Sequence, residues 1–143
     1  LRWARINGQP LPDLRGEAGE RRLTMRPGRT LRVALGWESL RPVEENYTVF
    51  VQLLDTALQV RAQSDSTPLG GSSPTLLWFP RWRQGTRIVD THWLDDVPPD
   101  LTPGPYPLVV GMYGFSTHKR VQVVSPSGDV AGDWVTLGHL WVE

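Results

Sequence analysis

Apolar residues along this chain fall mostly into every second position, and in one stretch they fill both registers. Between residues 47 and 55, Tyr47, Val49, Val51 and Leu53 point to one side of an extended backbone, while Phe50 and Leu54 point to the other. A strand apolar on both faces has packing above and below it, whereas a strand at a wet surface alternates cleanly. The return segment, residues 60–65, does alternate, with Val60, Ala62 and Ser64 inward and Arg61, Gln63 and Asp65 outward. Thr56-Ala57-Leu58-Gln59 joins the two without the Asn-Gly or Asp-Gly pair that fixes a two-residue turn. Residues 47–66 therefore predict a hairpin stepping from sheet centre towards sheet edge.

The other periodic segments repeat the two-residue period. Residues 1–6 set Leu1, Trp3 and Arg5 against Arg2, Ala4 and Ile6, then stop at the turn pair Asn7-Gly8. Leu23-Thr24-Met25 is a short strand halted by Arg26-Pro27-Gly28. In residues 30–38, Leu31, Val33, Leu35 and Trp37 make an inner row opposite Arg32, Ala34, Gly36 and Glu38. The register of Trp37 with three aliphatic residues favours core packing over a ligand platform. Residues 86–94 turn Ile88 and Leu94 one way and Val89 and Trp93 the other. Residues 95–105 carry four prolines, which excludes helix and interior strand and predicts a crossing between sheets. Residues 106–115 are the second segment apolar on both sides, Leu108, Val110 and Met112 alternating with Val109, Gly111 and Tyr113. A short outer strand at 121–124, a turn at 125–129 and a last strand at 134–142 follow, while residues 9–21, 39–46 and 67–85 read as loops.

About eight or nine short strands, turn signals between them and no helical period predict an all-β protein. The expected architecture is a two-sheet antiparallel β-sandwich, immunoglobulin-like in connectivity, with a jelly roll as the alternative. Residues 1–143 read as one such domain, long enough to hide roughly two-thirds of the unfolded surface. Its expected buried set is Leu31, Val33, Trp37, Val49, Val51, Leu53, Tyr106, Leu108, Val110 and Leu137.

Composition narrows the function classes. No cysteine is present, so disulfides and thiolate metal sites are excluded. The formal net charge is zero, which argues against nucleic acid, because phosphate-binding domains carry a basic excess. Lys119 is the single lysine among many arginines, as in a biased coding sequence or a heat-adapted source. No apolar run approaches the ~20 residues that span a bilayer, so direct membrane insertion by this segment is not expected. The chain starts at Leu1 without an initiator Met, as an excised piece of a longer protein would, so the missing leader says nothing of a parent.

Candidate chemistry is sparse. His92, His118 and His139 are the only histidines, and none pairs with another at ligand spacing. Those at 92 and 139 fall in strand patterns, where a hydrogen-bonded structural role is expected. Asp95, Asp96 and Asp100 could together approach a calcium ion, yet prolines separate them and turn-forming aspartates explain them as well. There is no Gly-x-Ser-x-Gly elbow, no cysteine nucleophile and no phosphate-cradling glycine loop. The chain is accordingly expected to be no enzyme, with no catalytic residue, metal or cofactor assigned. Binding remains, and the densest candidate is Trp78, Phe79, Arg81, Trp82 and Arg83 in an apparent loop. Indole and phenyl rings stack on the apolar face of a pyranose while guanidinium groups reach its hydroxyls. The same patch would serve as a plug over the open end of the sandwich, or as a dock for a neighbouring domain. Plug or docking is favoured over sugar.

Two motifs resemble known families. Leu101-Thr102-Pro103-Gly104-Pro105-Tyr106-Pro107-Leu108-Val109-Val110 is similar to the strand entry of many bacterial immunoglobulin-like sandwiches, which implies a tyrosine corner at Tyr106. A longer pattern runs from Pro27-Gly28-Arg29-Thr30-Leu31-Arg32-Val33 and Trp37 through residues 47–55, Gln63-Ser64-Asp65-Ser66, Trp82-Arg83-Gln84-Gly85 and Val89-Asp90 to Gly111-Met112-Tyr113. It resembles the C-terminal β-sandwich that follows the membrane spans in bacterial multi-pass glycosyltransferase-like proteins. More loosely, it is similar to the carbohydrate-binding sandwich of polysaccharide exporters. The first resemblance implies an extracytoplasmic, membrane-tethered accessory domain whose partner is a neighbouring domain of the parent chain or a glycan. The hairpin connection departs from the Asp-Gly-type turn usual there, and residues 76–80 are more aromatic. Neither family supplies catalytic residues to carry over.

Overall fold

The computed structural model describes residues 1–11, 23–43, 45–68 and 84–143. Two sheets pack face to face over a core drawn from the inward rows of both. One has the order β2 (Gln9–Pro10), β1 (Trp3–Ile6), β4 (Leu31–Glu38), β7 (Arg87–Leu94). The other has the order β3 (Leu23–Met25), β11 (Val135–Val142), β8 (Gly104–Gly114), β5 (Tyr47–Leu54), β6 (Val60–Ser66). A small ribbon of β9 (Val123–Val124) and β10 (Val130–Gly132) stands apart from both. All pairings are antiparallel except β3 with β11, which run parallel at the edge of the larger sheet. No helix occurs among the described residues. Successive strands β4 to β5, β6 to β7 and β7 to β8 change sheet, and β1 and β3 lie in opposite sheets, so the sandwich has the immunoglobulin-like order.

The hairpin of β5 and β6 forms as the alternation predicts, β5 inside the larger sheet and β6 at its edge. Asp55 supplies what the missing Asn-Gly pair would have given. Its Oδ1 accepts the backbone N–H of Ala57 and of Gln59, both at 2.9 Å, and Leu58 takes φ +60° to close the loop. Leu53 pairs with Ala62 but Leu54 pairs with Val60, so Arg61 is an extra residue. That bulge corrects one expectation: Val60 is exposed, because the shift turns it out of the row that holds Ala62.

Nine of the ten residues expected inside are buried, and Val33, Val49, Val51, Leu53 and Leu108 are wholly so. Trp37 is the exception. It packs against the core but stays half-buried near the end of β4, and its Nε1 is enclosed with no acceptor among the described residues. The proline-rich crossing also needs a correction, because β8 begins at Gly104 and takes Pro105 and Pro107 into the strand. This is tolerated because β5 pairs with β8 only from Leu108 onward, so nothing on that flank needs their missing N–H groups. The Tyr106 hydroxyl donates to the Thr102 carbonyl at 2.9 Å, tying the strand back to its own entry loop.

Candidate functional site

The sheet register gathers residues that the sequence left scattered. On the outward side of β1, β4 and β7, Trp3 lies level with Gly36 and Val89, Arg5 with Ala34 and Thr91, and Arg32 with Trp93. The inward rows of the same strands hold Ala4, Ile6, Leu31, Val33, Leu35 and Leu94, so the alternation that fills the core fixes what faces out. Trp93 and Val89 are each 54% exposed, and Trp3 is 37% exposed.

Trp3 lies flat. A Cβ at Gly36 would meet its indole at 2.3 Å, so the ring rests on the bare backbone of β4. The Arg5 guanidinium stands 5.3 Å from the Trp3 ring centroid, and that of Arg32 stands 5.6 Å from Trp93, both within cation–π range. Neither Arg5 nor Arg32 has a carboxylate partner among the described residues. Farther along the face, Glu38 forms ion pairs with Arg2 at 3.0 Å and Arg87 at 3.6 Å, beside an open hollow of about 400 Å³ bordered by Trp3, Gly36 and Val89. Four arginines and one glutamate thus share a face of a chain whose net charge is zero.

The outer side of the larger sheet is built differently, because the chain covers part of it with residues 115–134. Phe50 is 1% exposed there, under the Arg120 guanidinium at 4.6 Å, which also lies 5.5 Å from the Trp134 ring. Arg120 is paired with Asp133 at 3.3 Å. Next to it Tyr113 stacks against His118, ring centroids 5.9 Å apart, and donates its hydroxyl to Asp65 at 3.1 Å. Partial burial, and then the Asp65 charge and hydrogen bond, push the Tyr113 phenol above its ordinary value, against a smaller opposing effect of Thr48.

A third cluster lies between the sheets. His92 Nε2 is 2.8 Å from Asp90 Oδ2, and His92 Nδ1 is 3.3 Å from Ser64 Oγ. A serine, a histidine and an aspartate in hydrogen-bonded sequence invite comparison with a nucleophilic triad. The Asp90 and His92 side chains are fully enclosed, while Ser64 on edge strand β6 is only partly buried. The group serves to satisfy polar atoms where edge strands β6 and β7 meet. The sequence signal for it was two polar residues at i and i+2 between the inward Ile88 and Leu94.

The other sequence candidates disperse. Asp96 accepts the Gln63 N–H at 3.4 Å, whereas Asp100 borders a separate hollow with Asp55 and Arg61, and no metal-binding group of three occurs among the described residues. Trp78, Phe79, Arg81, Trp82 and Arg83 lie outside the described residues. No helix among the described residues is long and apolar enough to cross a membrane. The chain matches no protein-family model and no curated protein.

Proposed function

We propose that this is a non-catalytic accessory domain of a larger membrane-anchored or secreted bacterial protein, associated with glycosyl transfer and displayed outside the cytoplasm. Its contact surface is the outer face of the β1–β4–β7 sheet. The observation that supports this is the placement of chemistry: Trp3, Trp93, Arg5 and Arg32 face solvent on an open sheet, while the Asp90 and His92 side chains are enclosed between the sheets, hydrogen-bonded in turn to the partly buried Ser64. Exposed aromatic and guanidinium groups recognise partners; they do not by themselves transfer protons or groups. The resemblance described above supplies the glycosyltransferase context.

A photo-crosslinking residue at Val89 in the intact parent protein tests this, with a second at Val124, on the small ribbon, as control. The expected result is a defined adduct from position 89, to protein or to polymer, and none from 124. Solvent-like behaviour at position 89 would remove the face from the function.

A further inference from the structure

The two Trp–Arg pairs are set out in a diagonal, and its geometry defines a ligand. Trp3 and Arg5 lie on β1, Arg32 on β4 and Trp93 on β7, each pair one register step from the next. With strand and residue spacings of a normal sheet, the Arg5 and Arg32 Cα atoms are about 8 Å apart and the two tryptophans about 16 Å apart. The order along the diagonal is therefore ring, cation, cation, ring. Small side chains, Ala34 and Thr91, floor the space between.

We infer that this diagonal binds an acidic polysaccharide, its carboxylates on Arg5 and Arg32 and flanking sugar rings on Trp3 and Trp93. The inference rests on the accessory reading above and names the ligand class of the same face. Two arginines whose Cα atoms lie about 8 Å apart, each without a counter-ion among the described residues, present positive charge that an anion lying along the diagonal would neutralise. A guanidinium is the donor whose planar fork matches a carboxylate. Each is already held against an indole, so little side-chain freedom is lost when the anion arrives. An acidic peptide would satisfy the charges but would seek a strand edge for its own backbone, and the diagonal runs across the outer face of β1, β4 and β7 rather than along an edge. An anionic membrane would engage rings that project from the face, whereas Trp3 rests against it on Gly36. A polymer of uronic acid rings supplies carboxylates and apolar ring faces in one repeat.

Titration calorimetry with oligosaccharides of polygalacturonate and alginate tests this on the wild-type chain and on R32Q and W93A. Both substitutions are at exposed positions, and circular dichroism checks that the variants are folded. Cello-oligosaccharides, poly-glutamate and phosphatidylglycerol vesicles serve as comparators. The expected result is saturable binding of a uronide that weakens at least about tenfold in either variant and weakens again with added salt. Equal binding of the neutral cello-oligosaccharides would overturn the ionic half of the inference. Stronger binding of poly-glutamate or of vesicles would replace the ligand class, and no uronide binding at all would end it. If Val89 still crosslinks in the parent while the uronides fail, the accessory reading stands and the glycan falls alone.

Discussion

Two glycines present the same steric problem in opposite settings, and replacing each by alanine separates them. A Cβ at Gly111 would lie 2.3 Å from Phe50 Cζ and 2.8 Å from the Asp133 carbonyl oxygen; a Cβ at Gly36 would lie 2.3 Å from the Trp3 indole. In either case the neighbour must retreat by roughly 1 Å to restore ordinary contact. Phe50 cannot retreat, because it is 1% exposed, with Arg120 over the ring and the residue 133 backbone beside it. Trp3 has solvent above it and can lift. Overpacking of a caged site costs about 3 kcal/mol, and relief of the glycine's chain entropy returns somewhat under 1 kcal/mol. Gly111→Ala should therefore lose about 2 kcal/mol net, or about 6 °C in Tm for a chain of this size. Gly36→Ala should stay within about 1 kcal/mol of the wild type, because lifting the indole breaks dispersion contacts without a clash. Urea unfolding followed by circular dichroism measures both. Equal losses in the two variants would refute the reasoning, since they would mean that Trp3 is as confined as Phe50.

Val51→Ala and Leu108→Ala remove methyl groups from wholly enclosed positions, and each should cost about 2–4 kcal/mol by the same unfolding assay. Unchanged stability in both would contradict the register of β5 and β8. Tyr106→Phe deletes the hydroxyl that holds Thr102, and a loss of about 1 kcal/mol is expected in thermal scans. The raised Tyr113 phenol ties stability to alkaline pH. Above its ordinary value of 10.0, the unfolded chain releases this proton while the folded chain keeps it, so stability is full below that pH and falls as pH rises through the folded value. Tyr113→Phe should lessen that alkaline decline; Asp65→Asn should narrow it without removing it, because burial is the larger cause. Denaturation curves on both sides of that pH would show it.

How much could be read from the chain depends on whether alternation or pairing carries the information. Leu31, Val33 and Leu35 announce their own burial, since three apolar residues at period two leave one face for the core. The double-sided strands β5 and β8 were legible for the same reason, and Phe50 and Val109 do lie buried on the side away from the shared core. Alternation says nothing of which strands are neighbours. The rows Arg32, Ala34, Gly36 and Val89, Trp93 were readable as outward positions, yet only the pairing of β4 with β1 and β7 makes them one surface. Polar residues in an inward row are harder still. Asp90 and His92 interrupt an apolar register, and nothing local tells that Ser64 on another strand completes their hydrogen bonds. The bulge at Arg61 was hidden for a similar reason, since it is set by the loop that Asp55 holds closed.

The two outer faces differ in what the chain does with them, and this asymmetry bears on where a partner sits. On the larger sheet, residues 115–134 return across the surface, and their Arg120 is consumed: it covers Phe50 and Trp134 and is paired with Asp133. On the smaller sheet, no described segment performs that service, and among the described residues Arg5 and Arg32 have indoles and no carboxylate for company. An exposed indole with a cation on it is half of a contact. Water solvates the guanidinium well but the ring poorly, so the face gains from any occupant that covers the aromatic carbon while keeping the charge hydrogen-bonded. A purely apolar partner would strand the arginines, and a purely ionic one would leave the rings wet. The occupant that satisfies both must alternate apolar faces with anionic groups at the spacing set by the sheet.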